Sequence, residues 1–423
     1  MKNKVVHIAL GLVMVVALLG GAFAGCAKPA EEESIRVGCA GSWGAQPWAL
    51  GGRYAMELAL EEINAAGGVN VGGVMRPFKL VTIETREEEP GVPVSECLLG
   101  FEKLILDEKV DVLCGGSTMS EASLALIDLV NKYNMVHITC MGTWTPGWPA
   151  KVGGDIEKYG CSFKMSADAR DQVGLLVDLL EEMRKEYGWS TAYCIITDVL
   201  FCRNSMDAFA GLAEKKGWEI LGKDLCPQGT TDYSPALLKA KASGADVLLI
   251  WTNDVTATIL IRQFMDLEVP ALPVGFAPAA QEHEIYEALG GKCGYFIFPC
   301  GHAAVTSTKM PGAVEFQQAY EKMHGRRPFG GAGAAYEGLY VLKDAIERAG
   351  SLETDALIAA LEQTDYMGTS GRIRFDENHM APFSYDPEEG VVGNLSQWIG
   401  GERVCVWPPS IADSEVLLPP WMK

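Results

Sequence analysis

Apolar strand segments and amphipathic helical segments alternate along this chain, and the alternation runs through twice. The first series reads SIRVGCA, a helix from about Arg53 to Ala66 with Met56, Leu60 and Ile63 on one face, PFKLVTIET, a helix from Val94 to Glu108, VDVLCGG, a helix from Glu121 to Tyr133, and MVHITC. The second restarts after Cys161 with a helix from Ala169 to Tyr187, TAYCIIT, a helix from Ser205 to Lys216, WEILGKD, a helix from Ser234 to Ala242 and DVLLIWT. A helix from Val255 to Leu267, LPVGFA, a short helix near Glu282 to Leu289 and GYFIFPC complete it. Continuously apolar strands need cover on both faces, and a helix between successive strands lets them run parallel. The chain is therefore expected to be α/β, with two doubly wound parallel-sheet lobes. Helices from Gly312 to His324, Ala334 to Ala349 and Thr354 to Gln363 follow, then the strand-like GRIRFDE and RVCVW. AAGGVNVGG reads only as a break after the first helix. At 423 residues the chain exceeds one ordinary core, which agrees with two lobes.

Lys2 and Lys4 precede an apolar run from Val5 to Ala24 that ends in FAGC. This reads as an export signal over residues 1–25, with Cys26 as the acylated residue of a lipoprotein and residues 26–34 as a tether. Phe23 departs from the aliphatic residue usual in such a lipobox; an uncleaved membrane anchor is the other reading of the same run. The formal net charge of −20 offers no basic surface for a nucleic acid, which is excluded as a partner. The cysteines beyond Cys26 show no C-x-x-C pair and no ligand spacing with the histidines, so neither a metal nor a cofactor is expected. Cys39, Cys114, Cys140 and Cys194 sit in strand patterns as small buried hydrophobes.

The loop GCAGSWGAQPWALGG joins the first strand to the first helix. Its spacing is not that of a dinucleotide loop, and Trp43 and Trp48 would crowd a pyrophosphate. Both indoles either hold the body of an organic ligand or cap the sheet against the core. There is no nucleophile elbow, HExxH or phosphate-binding loop, and the chain is read as a non-enzyme.

GGRYAMELALEEINAAGGV, GGSTMSEAS, HITCMGT, GTTDYSPALLKAKASGADVLLIW, IRQFMDLEVP and GYFIFP, in that order, resemble the branched-chain amino acid-binding proteins of ABC importers, the type I periplasmic binding proteins. The resemblance runs from Ile35 to about Glu377. It implies two lobes joined by three hinge crossings near residues 160–166, 299–302 and 368–372. Lobe 1 would be residues 35–163 plus 301–368, and lobe 2 residues 164–300 plus 369–423.

The family's pattern implies that the ligand's carboxylate is held in lobe 1. Ser117, Thr118 and above all Ser120 would hold it, with the Met141 backbone and the Thr143 hydroxyl; Ser120 and its neighbours could equally be a helix cap. Trp48 falls where relatives pack an aromatic residue on the ligand, and Trp43, Trp144 and Phe276 are expected to face the same cleft, whereas Trp148 is expected to be structural. Relatives pair the ligand's ammonium with a lobe-2 carboxylate that here becomes Ala277, and an aromatic position becomes Asn253. An amino acid would then need Asp198 or Asp254, although Asn253 and Asp254 also suit a helix cap. The expected ligand is a small organic carboxylate with an aromatic or apolar body, captured by hinge closure and passed by a monomeric, envelope-anchored protein to an ABC permease. An ordinary branched-chain amino acid-binding protein and a ligand-sensing receptor component are the alternatives.

Overall fold

The computed structural model describes residues 33–44, 47–89, 91–141, 147–166, 169–300, 307–310, 312–328 and 331–422. Strand β1 (Ile35–Gly41) leads to helix α1 (Pro47–Ala65), and a hairpin of β2 (Val69–Val71) and β3 (Val74–Arg76) delivers the chain to β4 (Phe78–Glu84). The hairpin replaces the simple break expected there. Gly72 and Gly73, with φ of 59° and 95°, make the two-residue turn whose twist matches antiparallel strands. Helix α2 (Val94–Leu106), β5 (Val112–Gly115), α3 (Ser120–Lys132), β6 (His137–Thr139), α4 (Ile156–Tyr159) and β7 (Ser162–Lys164) follow. The five strands form a parallel sheet ordered β4-β1-β5-β6-β7.

The second series gives α5 (Ala169–Tyr187), β8 (Thr191–Thr197), α6 (Leu200–Lys215), β9 (Glu219–Cys226), α7 (Ser234–Ser243), β10 (Val247–Trp251), α8 (Ala257–Asp266), β11 (Leu272–Phe276), α9 (Glu284–Ala288) and β12 (Ile297–Cys300). Helix α6 starts five residues before the expected Ser205, which carries Phe201 into its first turn. Three more helices, α10 (Ala313–His324), α11 (Ala332–Ala349) and α12 (Thr354–Leu361), return to the first lobe. There Leu339, Leu342 and Ile346 share one buried cluster with Met56, Ala59 and Ile63 of α1.

The chain then builds a small sheet from β13 (Tyr366–Gly368), β14 (Gly371–Ile373), β15 (Phe383–Ser384) and β16 (Val391–Val392). Strands β17 (Asn394–Ile399) and β18 (Glu402–Trp407) close the second sheet, ordered β18-β17-β12-β11-β10-β8-β9, with an antiparallel edge. The three crossings between lobes lie after β7, after β12 and through the small sheet.

Two expected boundaries shift. Lys164, placed at the start of lobe 2, is the last residue of a lobe-1 strand, paired with Thr139. Residues 369–392 do not belong to lobe 2 alone: Ile373 and Val391 are buried in the lobe-1 cluster, while Val392 packs with Met310, Ala313, Cys405 and Ile411. The small sheet is a hinge piece shared by both cores. The expected signal and tether, residues 1–25 and Cys26 included, lie outside the described residues apart from Glu33 and Ser34; no described helix is long and apolar enough to cross a membrane.

Candidate functional site

Parallel strands all point their carboxyl ends the same way, so each lobe presents one edge where loops and strand-end side chains collect. In lobe 2, Thr197, Trp251 and Phe276 end the adjacent strands β8, β10 and β11. Phe201 reaches them from α6. Its ring centroid lies 6.2 Å from that of Trp251 and 5.4 Å from that of Phe276, and the last two are 5.7 Å apart. Trp251 is buried, whereas Phe201 and Phe276 are half-buried. Beside this cluster the Thr197 and Thr252 hydroxyls, the indole Nε1 of Trp251 and the side-chain oxygen of Asn253 are buried without a hydrogen-bond partner. Each such group costs about 1–3 kcal/mol unless something pairs it, and four on one sheet edge make a polar border to an aromatic surface.

The lobe-2 acids are committed elsewhere. Asp198 pairs with Arg203 at 2.5 Å. Asp254 is buried and accepts from the Thr256 amide at 3.0 Å and the Gly229 amide at 3.2 Å, so it organises the turn into α8. Ala277, expected to face the ligand, is instead fully buried in the lobe-2 core.

In lobe 1 the indole of Trp43 folds back over Gly41, where a Cβ would lie 2.8 Å from the ring. Any larger residue at that position would have to displace the indole. The indole packs into the lobe-1 core with its Nε1 unpartnered, and the Arg53 guanidinium lies 6.0 Å from the ring centre. This agrees with the core-capping reading of Trp43. Trp48 is not in a loop but in the first turn of α1, since that helix begins six residues before the expected Arg53. Thr143 and Trp144 lie outside the described residues. Trp148 is fully buried and donates its Nε1–H to the Asn378 carbonyl at 3.2 Å.

The expected carboxylate-holding loop is already holding a carboxylate. Glu87, just after β4, accepts from the Ser117 hydroxyl at 2.6 Å, the Thr118 hydroxyl at 2.8 Å and the Thr118 amide at 3.0 Å. The Ser117 and Thr118 donors are therefore spent inside the protein. Ser120 is the first residue of α3 and not its cap, which is Met119. The Met141 amide donates to the Gly115 carbonyl at 3.3 Å, and its side chain is buried.

Two ionisable groups flank this loop. Burial, reinforced by the charge of Glu87, pushes the Glu88 carboxyl up to about 7 against the help of a Thr118 hydrogen bond. Burial takes His137 down to about 4, and its Nε2 lies 2.7 Å from the Gly116 carbonyl. Unpartnered hydroxyls on Ser42 and Thr139 sit at the same sheet edge. Among the described residues no group of three or more His, Cys, Asp or Glu side chains is placed to hold a metal.

The family model described as "periplasmic binding protein" matches residues 38–385. The chain belongs to the periplasmic binding protein family. Its fold is the type I fold of that family, two parallel-sheet lobes joined by three crossings. This binding protein is 24% identical over 436 residues to Leu/Ile/Val-binding protein homolog 7 of Brucella suis, covering 96% of the chain and 98% of the relative. Its fold matches the branched-chain amino acid transporter substrate binding protein of Streptococcus pneumoniae in complex with isoleucine, with a TM-score of 0.71, 18% identity and coverage of 92% and 100%. It also matches an ABC transporter solute binding protein of R. palustris in complex with benzoate, with a TM-score of 0.72, 14% identity and coverage of 92% and 99%.

Sequence reasoning missed Glu87, Phe201, Trp251, Thr197 and Thr252 of this binding protein. Trp251 and Thr197 carried a usable signal, since each ends an apolar strand pattern. Glu87 carried none, because TREEEPG reads as a solvated charge run.

Proposed function

We propose that the protein captures a small organic acid with an aromatic or apolar body and delivers it to an ABC permease. It is exported and lipid-anchored through Cys26, works as a monomer, and binds without turnover. The two lobes close on the ligand, whose contacts to both shift the open–closed equilibrium.

The observation that carries this reading is the lobe-2 edge: the Phe201, Trp251 and Phe276 rings bordered by unpartnered Thr197, Thr252 and Trp251 donors. Rings stack on a flat body, and hydroxyl and indole donors suit an acid group better than an ammonium. Asp198 and Asp254, the acids nearest that edge in sequence, are already engaged by Arg203 and by backbone amides. Trp48, Ser120, Thr143 and Trp144 are assigned to the facing lobe-1 wall of the same cleft, and Asn253 to the lobe-2 edge beside Thr252. The benzoate complex of the R. palustris protein is a precedent for such a ligand on this fold.

The second reading, an amino-acid receptor, is favoured by the names of the Brucella suis relative and the isoleucine-bound structure. It would require Asp198 to leave Arg203 for a ligand ammonium. Thermal unfolding of a form lacking the first 26 residues, with benzoate, short aliphatic acids, leucine and betaine each in excess, separates the two. At a thousandfold excess over Kd a ligand adds about 4 kcal/mol. Stabilisation by benzoate and not by leucine is expected; stabilisation by leucine alone would replace the first reading with the second.

A further inference from the structure

We propose that Glu87 is a built-in occupant of the lobe-1 anion cradle and thereby a specificity-determining residue, one that denies the Ser117–Met119 loop to any ligand carboxylate. This deepens the proposed function and rests on it only for where the ligand's acid group goes.

The cradle is complete. One carboxylate oxygen of Glu87 takes the Ser117 hydroxyl at 2.6 Å, the Cys97 thiol at 3.2 Å and the Met119 amide at 3.4 Å. The other takes the Thr118 hydroxyl at 2.8 Å, the Thr118 amide at 3.0 Å and the Thr85 hydroxyl at 3.4 Å. A carboxylate has about four lone-pair sites, so six donors saturate it and it saturates them. Glu87, Ser117 and Thr118 are all buried. Two backbone amides and two hydroxyls converging on one buried point are what an external carboxylate would need. Here the chain supplies that carboxylate from a loop thirty positions earlier than Ser117.

The neighbours enforce the exclusion. Glu88 lies beside Glu87 and Thr118, and Glu121 is close enough to raise the Glu88 carboxyl further. A second anion brought to this loop would meet that local field of acids. The acid group of a ligand is thus directed to the Thr197, Trp251 and Thr252 donors on lobe 2, with lobe 1 contributing apolar contact. A purely structural tie between the two loops would need only a neutral acceptor, and this difference supplies the test.

Glu87→Ala and Glu87→Gln are compared with the parent chain by thermal unfolding in formate and in chloride at equal ionic strength. Glu87→Ala is expected to unfold earlier in chloride and to recover with a saturating dependence on formate, because an anion that binds only the folded state raises its stability. The parent and Glu87→Gln are expected to respond to formate no more than to chloride. If Glu87→Ala does not fold in chloride, refolding it in formate is the readout, and recovery there supports the cradle. A Glu87→Ala chain that formate neither stabilises nor refolds overturns the proposal. Independently, Ser117→Ala should leave the benzoate affinity of the otherwise unchanged chain within about threefold; a loss of about tenfold or more would mean that the ligand uses this loop. Failure of benzoate to bind the parent chain would remove the proposed ligand class and leave the formate result standing.

Discussion

Glu337 on α11 accepts hydrogen bonds from the backbone N–H of Ser370 at 3.0 Å and from its hydroxyl at 2.6 Å, tying a lobe-1 helix to the third crossing. The Thr369 hydroxyl adds a third bond at 2.8 Å. Glu337 is buried, and burial raises its carboxyl above the ordinary range. Glu337→Ala removes the acceptor and strands three donors at the hinge. A loss of about 2–4 kcal/mol is expected, read as a lower urea midpoint; Glu337→Gln, which retains an acceptor oxygen, should lose less. An alanine variant as stable as the parent would show that the crossing does not depend on this tie.

Glu88 and His137 should give opposing pH dependences. Glu88 is raised in the folded state from 4.5 to about 7, so its contribution is fully present below about pH 4.5 and is lost as pH rises through 7. His137 is lowered from 6.5 to about 4, so its contribution is present above pH 6.5 and is lost as pH falls toward 4. Over the shared window the two slopes offset. Glu88→Gln should expose a loss of stability on acidification, and His137→Gln a loss on alkalinisation, each of about 1–3 kcal/mol. Urea midpoints measured across this range check both signs.

The thiols should be silent in the native protein. All eleven described cysteines are free and buried, and burial pushes Cys39, Cys194, Cys293 and Cys405 up to about 12. Cys114 and Cys140 approach to 3.8 Å between sulfurs, the sulfur atoms remaining unbonded. A thiol held both protonated and inaccessible is a poor nucleophile. Ellman's reagent is expected to label none of these eleven before denaturation and all of them after it.

The aromatic edge of lobe 2 should carry ligand affinity. Phe276→Ala removes one ring of the cluster at a half-buried position. With about 0.5–1.5 kcal/mol per aromatic pair beyond area burial, benzoate affinity should fall about tenfold in isothermal titration. Ala277→Glu makes a contrast one residue away: it would bury a charge inside the lobe-2 core and lower stability instead of creating an ammonium site.

The alternation of strands and helices was legible because hydrophobic period is a local property. β4, β5, β8, β10, β11 and β12 each lie within an apolar segment visible in the sequence, and β1 overruns its segment by one residue. The site was legible in part. The described residues that directly follow β1, β5 and β6 share one sheet edge because those strands are parallel, but the Ser117 and Thr118 hydroxyls, read as open to a ligand, are spent on Glu87. Trp43 was expected to face the ligand, with core capping as the lesser reading, and packing placed it in the core. The hairpin of β2 and β3 was missed because two three-residue strands leave almost no periodic signal.

What the sequence determined by itself is the class of the fold, since uninterrupted apolar strands separated by helices have few other ways to leave water. Only the tertiary structure decided which polar groups are free. Glu87 meets Ser117 across thirty positions, and Glu337 meets Ser370 across thirty-three. Whether a buried hydroxyl awaits a ligand depends on which distant carboxylate has already reached it, and that pairing is set by packing geometry that residue spacing does not encode.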